Sequence, residues 1–482
     1  MCIFTSFKSK INMITFLVSF LLLIVGYFVY GKLVERVFAP DANRVTPAIS
    51  MQDGVDYVPL KPWKLFTIQF LNIAGLGPIF GAIMGAKFGA SAYLWIVFGC
   101  IFAGAVHDYL SGMLSLRNNG ASLPELIGKY LGMSVQQFTR VFTILLMVLV
   151  GVVFISGPAG LLQNLTSLGQ WWWIGIIFVY YLLASMLPVD KLIGKIYPLF
   201  AVALLFMAVG ILAVLLIKQP ALPEITDGLQ NTHPFAIDVP IFPMLFISIA
   251  CGALSGFHAT QSPLMARCMT NEKQGRPIFY GAMIVEGMVA LIWAAAANVF
   301  FSQFGMGENN AAVIVNNIST EWLGVVGGAL AILGVVFAPI TSGDTAFRSA
   351  RLIVADMFSI DQAPIKNRLL ICVPMFLVAT VILLYSLNDV EGFNVIWRYF
   401  AWANQTLGVI TLWALSVWLM RTRRKWHFLT LIPAVFMTVV VLLYILIADE
   451  GLNFAYVPSL VASIFCSLLL TALFYYKELR RK

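Results

Sequence analysis

Charge is scarce in this chain. Only 11% of its 482 residues are Asp, Glu, Lys or Arg, against roughly 25% in a soluble protein. Sixty per cent are hydrophobic, too many for one soluble core to hide, so lipid must solvate the rest. The six cysteines (Cys2, Cys100, Cys251, Cys268, Cys372 and Cys466) stand singly, without a CxxC pair. That spacing gives neither a disulfide framework nor a zinc-finger pattern. There is no HExxH, no GxSxG and no GxxxxGK[ST], so the motifs of zinc proteases, α/β-hydrolases and P-loop ATPases are missing. Net charge is +8. The basic residues sit at the ends of apolar segments and form no stripe, which excludes a nucleic-acid surface.

Thirteen apolar segments are long enough to cross a bilayer of about 30 Å: residues 11–31, 64–88, 91–115, 138–157, 171–188, 195–217, 240–268, 277–303, 322–345, 368–387, 393–420, 428–447 and 454–476. All but five of the 30 Lys and Arg residues (Lys8, Lys10, Lys87, Lys218 and Arg398) fall in alternate loops. Membrane insertion retains Lys and Arg on the cytoplasmic side. The pattern therefore places the C-terminus inside and the N-terminus outside. Glu308, Asp389, Glu391, Asp449, Glu450 and the acidic stretch 224–238 then lie outside. The long apolar run after Lys10 lacks a small-residue cleavage site and reads as a retained first span.

Two spans are interrupted. The second contains Asn72-Ile73-Ala74-Gly75-Leu76-Gly77-Pro78, and the seventh contains Cys251-Gly252-Ala253-Leu254-Ser255-Gly256-Phe257-His258-Ala259-Thr260-Gln261-Ser262-Pro263. Such Gly and Pro density unwinds helices. Each interrupted span opens a set of five, and because five is odd the second set is inverted. Paired broken helices in inverted repeats mark the binding site of secondary transporters. The expected organisation is a first helix and linker (1–62), a five-helix repeat (63–218), an extracytoplasmic loop (219–239), an inverted repeat (240–420) and two further helices with a basic tail (421–482). In the first set, Ser122-Leu123-Pro124-Glu125 reads as a capping box opening a short helix. Residues 309–318 are its counterpart in the second.

The spacing predicts unwinding at 75–78 and 252–262, with the two breaks meeting at mid-membrane. The expected substrate cavity is lined by Asn72, Gly75, Gly77, Pro78, Gly252, Ser255, Gly256, Phe257, His258 and Gln261, with Asn404 and Gln405 approaching from span eleven. The half-helix opening near Pro78 offers its positive end to a carboxylate. Charged groups at bilayer depth are functional candidates, because burying each costs at least a few kcal/mol. They are His107, Asp108, His258, Glu286, Asp344, Arg348 and Arg398. The bland alternatives are Asp344–Arg348 as an intrahelical ion pair, Asp108 as a loop cap or a partner of Arg117, Glu286 as a neutral acid bonded to the backbone of a broken helix, His258 as a partner of unwound carbonyls, and Arg398 as a side chain snorkelling to the interface. Thr341, Ser342 and Asp344 share one turn and, with carbonyls at 74–76, suit a hard cation. Asp344 is favoured as the coupling acid, then Asp108, then Glu286.

Six stretches carry a family resemblance: Asn72–Gly81 (NIAGLGPIFG), Ala103–Leu131 (AGAVHDYLSGMLSLRNNGASLPELIGKYL), Cys251–Ala259 (CGALSGFHA), Tyr280–Glu286 (YGAMIVE), Thr341–Ala350 (TSGDTAFRSA) and Trp402–Leu407 (WANQTL). The chain resembles the carbon starvation protein A family of bacterial transporters, as a short form. The resemblance implies an all-α polytopic protein of the inner membrane. Its fold is the five-plus-five inverted repeat of the amino acid–polyamine–cation transporters, with one extra helix before and two after. It also implies uptake of peptides or pyruvate-like carboxylates under carbon starvation. Uptake would be driven by H+, with Na+ as second choice, and would use no cofactor and no nucleic-acid partner. The oligomeric state stays open. Two other classes compete. One is a passive channel, which needs repeated subunits or a filter loop. The other is an intramembrane aspartyl enzyme, which needs Asp108 and Asp344 face to face.

Overall fold

The computed structural model describes residues 13–54, 56–185, 189–307, 310–362, 364–388 and 392–480. The loop charges Lys8, Lys10, Glu308, Asp389 and Glu391 lie outside these, as does Cys2. The described residues form helices and no strand. Besides short helical turns, the order is α1 (Ile14–Phe28), α2 (Tyr30–Phe38), α3 (Pro62–Ile73), α4 (Gly77–Ala86), α5 (Ala90–Arg117), α6 (Leu123–Leu131), α7 (Met133–Leu165), α8 (Gln170–Ala184) and α9 (Val189–Lys218). Then come α10 (Ile241–Ser248), α11 (Gly256–Ala266), α12 (Ala282–Phe304), α13 (Ala311–Phe358), α14 (Ile365–Asn388), α15 (Gly392–Thr422), α16 (Phe428–Ile447) and α17 (Tyr456–Leu479).

Ten spans are long and apolar enough to cross a membrane, or eleven if α3 and α4 are one bent span. The count of thirteen also includes α8, with 15 residues, and the broken pair α10–α11, whose halves have 8 and 11. Neither meets that length on its own. The capping box forms as the sequence predicts: the Ser122 N–H donates to Glu125 Oε2 at 2.8 Å, opening α6. The short helix expected at 309–318 is instead the start of α13, which bends at Gly324, where φ is +69°.

The basic loops meet on one face. Arg117 pairs with Glu272 at 2.8 Å, Arg276 with Glu35 at 2.8 Å and Arg421 with Glu478 at 2.7 Å. Arg267 donates to the Gly120 carbonyl and Arg423 to that of Val37. On the opposite face, the Thr15 N–H donates to Glu224 at 2.8 Å and Thr232 to the Lys87 carbonyl at 2.7 Å. Arg398 also lies there, ion-paired with Glu450 at 3.1 Å. The alternation of charge thus survives as two distinct faces. Arg117 takes Glu272, not Asp108, which frees Asp108 for other partners.

Between the faces, long helices pack through small residues, as membrane helices do. A Cβ on Gly151 would come within 2.3 Å of the Phe347 ring, and one on Gly343 within 2.1 Å of the Tyr181 hydroxyl. These approaches clamp α13 against α7 and α8. They hold the two broken helices in the centre.

Candidate functional site

The first break spans residues 74–76, and α3 and α4 meet there at 54°. Pro78 lacks an N–H and its ring crowds the preceding turn. The freed carbonyls need partners at this depth. Ser342 of α13 supplies one, donating to Leu71 O at 3.0 Å.

The second break spans residues 249–255. The expected range of 252–262 is therefore shifted. Residues 256–266 are helical, and Pro263 sits inside α11. The reason is a cap from another helix. Asn404 Oδ1 accepts the Phe257 N–H at 2.7 Å and the Ser255 hydroxyl at 3.1 Å, starting α11 earlier than its glycines suggest. Trp95 Nε1 donates to Ile249 O at 2.9 Å and Gln405 Nε2 to Phe246 O at 2.9 Å, satisfying the carbonyls the break frees.

The breaks touch. A Cβ on Gly77 would lie 2.3 Å from the Cβ and Sγ of Cys251. Only glycine lets the two segments approach so closely.

Several residues expected to line a cavity therefore have other work. Asn404 spends its side-chain bonds on the second break and Gln405 its Nε2, while Gln405 Oε1 has no partner among the described residues. A Cβ on Gly256 would stand 2.3 Å from the Gly408 nitrogen, so Gly256 is the contact between α11 and α15. Gly252 abuts Ala290 in the same way. Ser255 faces Asn404. Gly75 faces Phe154 and the Ser342 hydroxyl. Phe257 packs edge-on against Phe154, which in turn meets Phe400. Gln261 donates to Thr260 Oγ1 at 2.9 Å and reaches Ser349 on α13 at 3.4 Å. Asn72 is fully buried, and neither side-chain polar atom has a partner among the described residues. The same holds for Gln69 one turn earlier, which sequence reasoning missed. Two polar residues three apart in an apolar helix were its only signal.

The three buried acids within the spans, Asp108, Glu286 and Asp344, form two separate groups. Asp344 Oδ2 accepts the Tyr197 hydroxyl of α9 at 2.8 Å, and Oδ1 has no partner among the described residues. The Thr341 hydroxyl bonds back to Phe337 O and Ala338 O. Ser342 bonds to Ala338 O as well as Leu71 O. Both hydroxyls are thus engaged with carbonyls, the usual fate of such residues in a helix, and do not converge with Asp344 on a cation. Arg348 is fully buried and donates to Ala184 O at 3.0 Å.

The second group is the tightest cluster of chemistry in the molecule. Asp108 of α5 lies between two imidazoles, with His107 Nδ1 2.7 Å from Oδ1 and His258 Nδ1 2.8 Å from Oδ2. His258 Nε2 faces Glu286 Oε2 of α12 at 3.4 Å. All four side chains have zero exposure. The Cys251 thiol, His258 nitrogen and Glu286 carboxylate lie within 4.8 Å of one another, a donor set able to hold a cation. The sequence marks all these residues, Cys251 only as a thiol beside the second break and not as a site residue, and assigns them to three separate spans. It did not foresee that they meet. Asp108 and Asp344 each have their own partners and form no carboxyl dyad.

A family model, carbon starvation protein CstA, matches residues 11–157, 158–326 and 304–443. The chain belongs to this family. An uncharacterised membrane protein of Haemophilus influenzae is 46% identical over 61% of this chain and 92% of its own length. The peptide transporter CstA of Campylobacter jejuni is 27% identical over 91% of this chain and 81% of its own. The pyruvate/proton symporter BtsT of Escherichia coli is 28% identical over 57% of this chain and 47% of its own. Among solved structures, a manganese transporter mutant from Eremococcus coleocola has a TM-score of 0.58 at 12% identity, covering 90% of this chain and 99% of that one. MhsT in complex with L-phenylalanine has a TM-score of 0.57 at 11% identity, covering 85% and 99%. The fold is that of inverted-repeat secondary transporters. The named relatives are transporters, which removes the enzyme reading. The stretches that carry the family resemblance are those that place Cys251, His107, Asp108, His258 and Glu286 in one cluster.

Proposed function

We propose that this protein is a secondary active transporter of the bacterial inner membrane, with a cytoplasmic C-terminus, working by alternating access. Its substrates in this reading are small organic carboxylates, either peptides or pyruvate-like acids, taken up under carbon starvation together with protons. The observation that carries the reading is the close approach of the two interrupted helices, with Gly77 at the start of α4 seated on Cys251 of the second break, in the interior of a family member. Unwound backbone at that depth is tolerated where it serves a polar ligand. A peptide C-terminus and pyruvate share a carboxylate, which suits the positive end of the α4 dipole at the first break. Asn72 and Gln69, buried with unspent donors and acceptors, are its companions on α3.

For coupling we retain Asp344. It is fully buried, has one unpartnered oxygen, and sits two residues from Ser342, whose bond to Leu71 ties α13 to the first break. A proton there is sensed by the element that must move.

The test is uptake into proteoliposomes of labelled pyruvate and of a labelled peptide, with and without an inward pH gradient. Accumulation of either that collapses with the gradient is expected. Asp344→Asn, which mimics the neutral acid, should abolish accumulation and leave exchange down a substrate gradient. Uptake indifferent to the pH gradient argues against proton coupling. Gradient-driven accumulation by Asp344→Asn moves the coupling role away from this acid.

A further inference from the structure

The cluster around His258 has a charge problem. Asp108 and Glu286 are both fully buried, and among the described residues neither forms an ion pair with Lys or Arg. Buried charge is retained only when it is paired or bound to a metal. We propose that Cys251, His258 and Glu286 bind one divalent cation of the zinc class.

Three observations carry this. The first is donor type. A thiol, an imidazole and a carboxylate are the ligands of Zn2+ and its neighbours; Mg2+ and Ca2+ take oxygen alone. The second is the second shell. Metal-bound histidines hand their other ring N–H to a carboxylate. His258 Nδ1 lies 2.8 Å from Asp108 Oδ2, and that bond leaves Nε2 as the lone-pair nitrogen, with no hydrogen-bond partner among the described residues. His107, on the other oxygen of Asp108 at 2.7 Å, holds the carboxylate in place. The third is distance. His258 Nε2 and Glu286 Oε2 are 3.4 Å apart, and neither Glu286 oxygen has a hydrogen-bond partner among the described residues. Ligands at 2.0–2.2 Å in a tetrahedron are separated by about 3.3 Å. The Cys251 sulfur stands within 4.8 Å of both donors. Tetrahedral spacing asks it to close by at most about 1.2 Å. Cys251 lies in the unwound segment 249–255, where no helix ladder resists that movement.

Binding deprotonates the thiol and leaves a fourth position for water. It also ties the second break to α11 and α12. Since Cys251 is seated on Gly77, an occupied site pins both breaks, and excess zinc should arrest transport. The site itself stands whatever the cargo or coupling ion.

The test uses the full-length protein in detergent, titrated with Co2+ as the probe and Zn2+ as competitor. One equivalent of Co2+ should give a thiolate-to-cobalt charge-transfer absorption, displaced by Zn2+ and not by Mg2+. Cys251→Ser should abolish the band, whereas Cys466→Ser, which removes an exposed thiol on α17, should leave it. Asp108→Asn should keep the band and weaken affinity roughly 10–100-fold, the usual cost of losing a carboxylate behind a ligating histidine. Zinc X-ray absorption on the unmodified protein needs no variant and should find one sulfur at about 2.3 Å with nitrogen and oxygen neighbours. Absence of stoichiometric Co2+ binding, a band that survives Cys251→Ser, or zinc surrounded by nitrogen and oxygen alone would overturn the proposal. None of these readouts depends on substrate uptake, so the site and the transport reading fail or stand separately.

Discussion

Asn404 illustrates how a polar residue in a membrane helix can serve the fold while resembling a ligand. Its Oδ1 takes two donors from the second break, and its Nδ2 lies 3.5 Å from the Cys251 sulfur. Asn404→Leu, of similar volume, leaves the buried Phe257 N–H without an acceptor. An unsatisfied buried donor costs about 1–3 kcal/mol. The variant should therefore lower the unfolding midpoint in detergent, while Thr406→Val, which loses only a bond back to Trp402 O, should move it little. A variant that is fully stable yet fails to bind substrate would return Asn404 to the list of substrate ligands. At this scale the sequence was partly legible. It marked which charged residues lie buried, because a charge in an apolar run stands out. Their partners were hidden by distance along the chain: Tyr197 meets Asp344 across 147 residues, and His258 meets Asp108 across 150.

Among the elements, both broken helices were visible from glycine and proline alone, and the first is unwound at 74–76 rather than at the expected 75–78, because Gly77 and Pro78 already belong to α4. The second is displaced because a side chain from α15 caps it, an effect no local pattern encodes. The acidic loop before α10 is an element with its own pH response. His233 stacks on Phe88, and its Nδ1 accepts the Phe235 N–H at 3.2 Å, while Asn231 and Thr232 tie the loop to Val239 O and Lys87 O. Burial, and then the nearby Lys87 ammonium, hold the His233 imidazole below its ordinary pKa. The folded loop thus prefers the neutral ring. Its stabilising contribution is present above the ordinary imidazole value of 6.5 and is lost as pH falls through the lower folded value, when Nδ1 gains a proton and stops accepting. Hydrogen exchange in residues 231–239 should accelerate on acidification below about pH 6, and His233→Gln should flatten that response. Exchange that is independent of pH in the wild type would show the loop is held by its other bonds.

The whole molecule is asymmetric between its two faces. On the face away from the basic loops, a cavity of about 210 Å3 is lined by Phe80, Ser156, Gly157, Gly160, Gln170 and Ser386, among others. It reaches the neighbourhood of the first break, since a Cβ on Gly157 would meet Leu76 at 2.4 Å. From the cavity wall inward, Phe80, Trp397, Phe400, Phe154 and Phe257 form a continuous run of ring contacts that ends on α11. Toward the basic face, the space between α11 and α13 has shrunk to about 20 Å3, lined by Thr260, Pro263, Ser349 and Leu352. There Ser349 donates to Thr260 O at 3.2 Å and Gln261 reaches back to Ser349 at 3.4 Å, joining the helix after the second break to the helix that carries Asp344. In the proposed carrier, the packed aromatic rings would close the path on one side and this polar latch on the other. A carrier that alternates must open the latch while the rings stay shut. In a Cys466→Ser background, Ser386→Cys in sealed right-side-out vesicles should react with a membrane-impermeant maleimide without substrate. Leu352→Cys in inverted vesicles should react slowly at rest and faster once substrate and a pH gradient drive turnover. Substrate should slow the first reaction as it speeds the second, because one population is drawn from the other. Both positions speeding together would describe a channel opening at two ends and would remove alternating access from this protein.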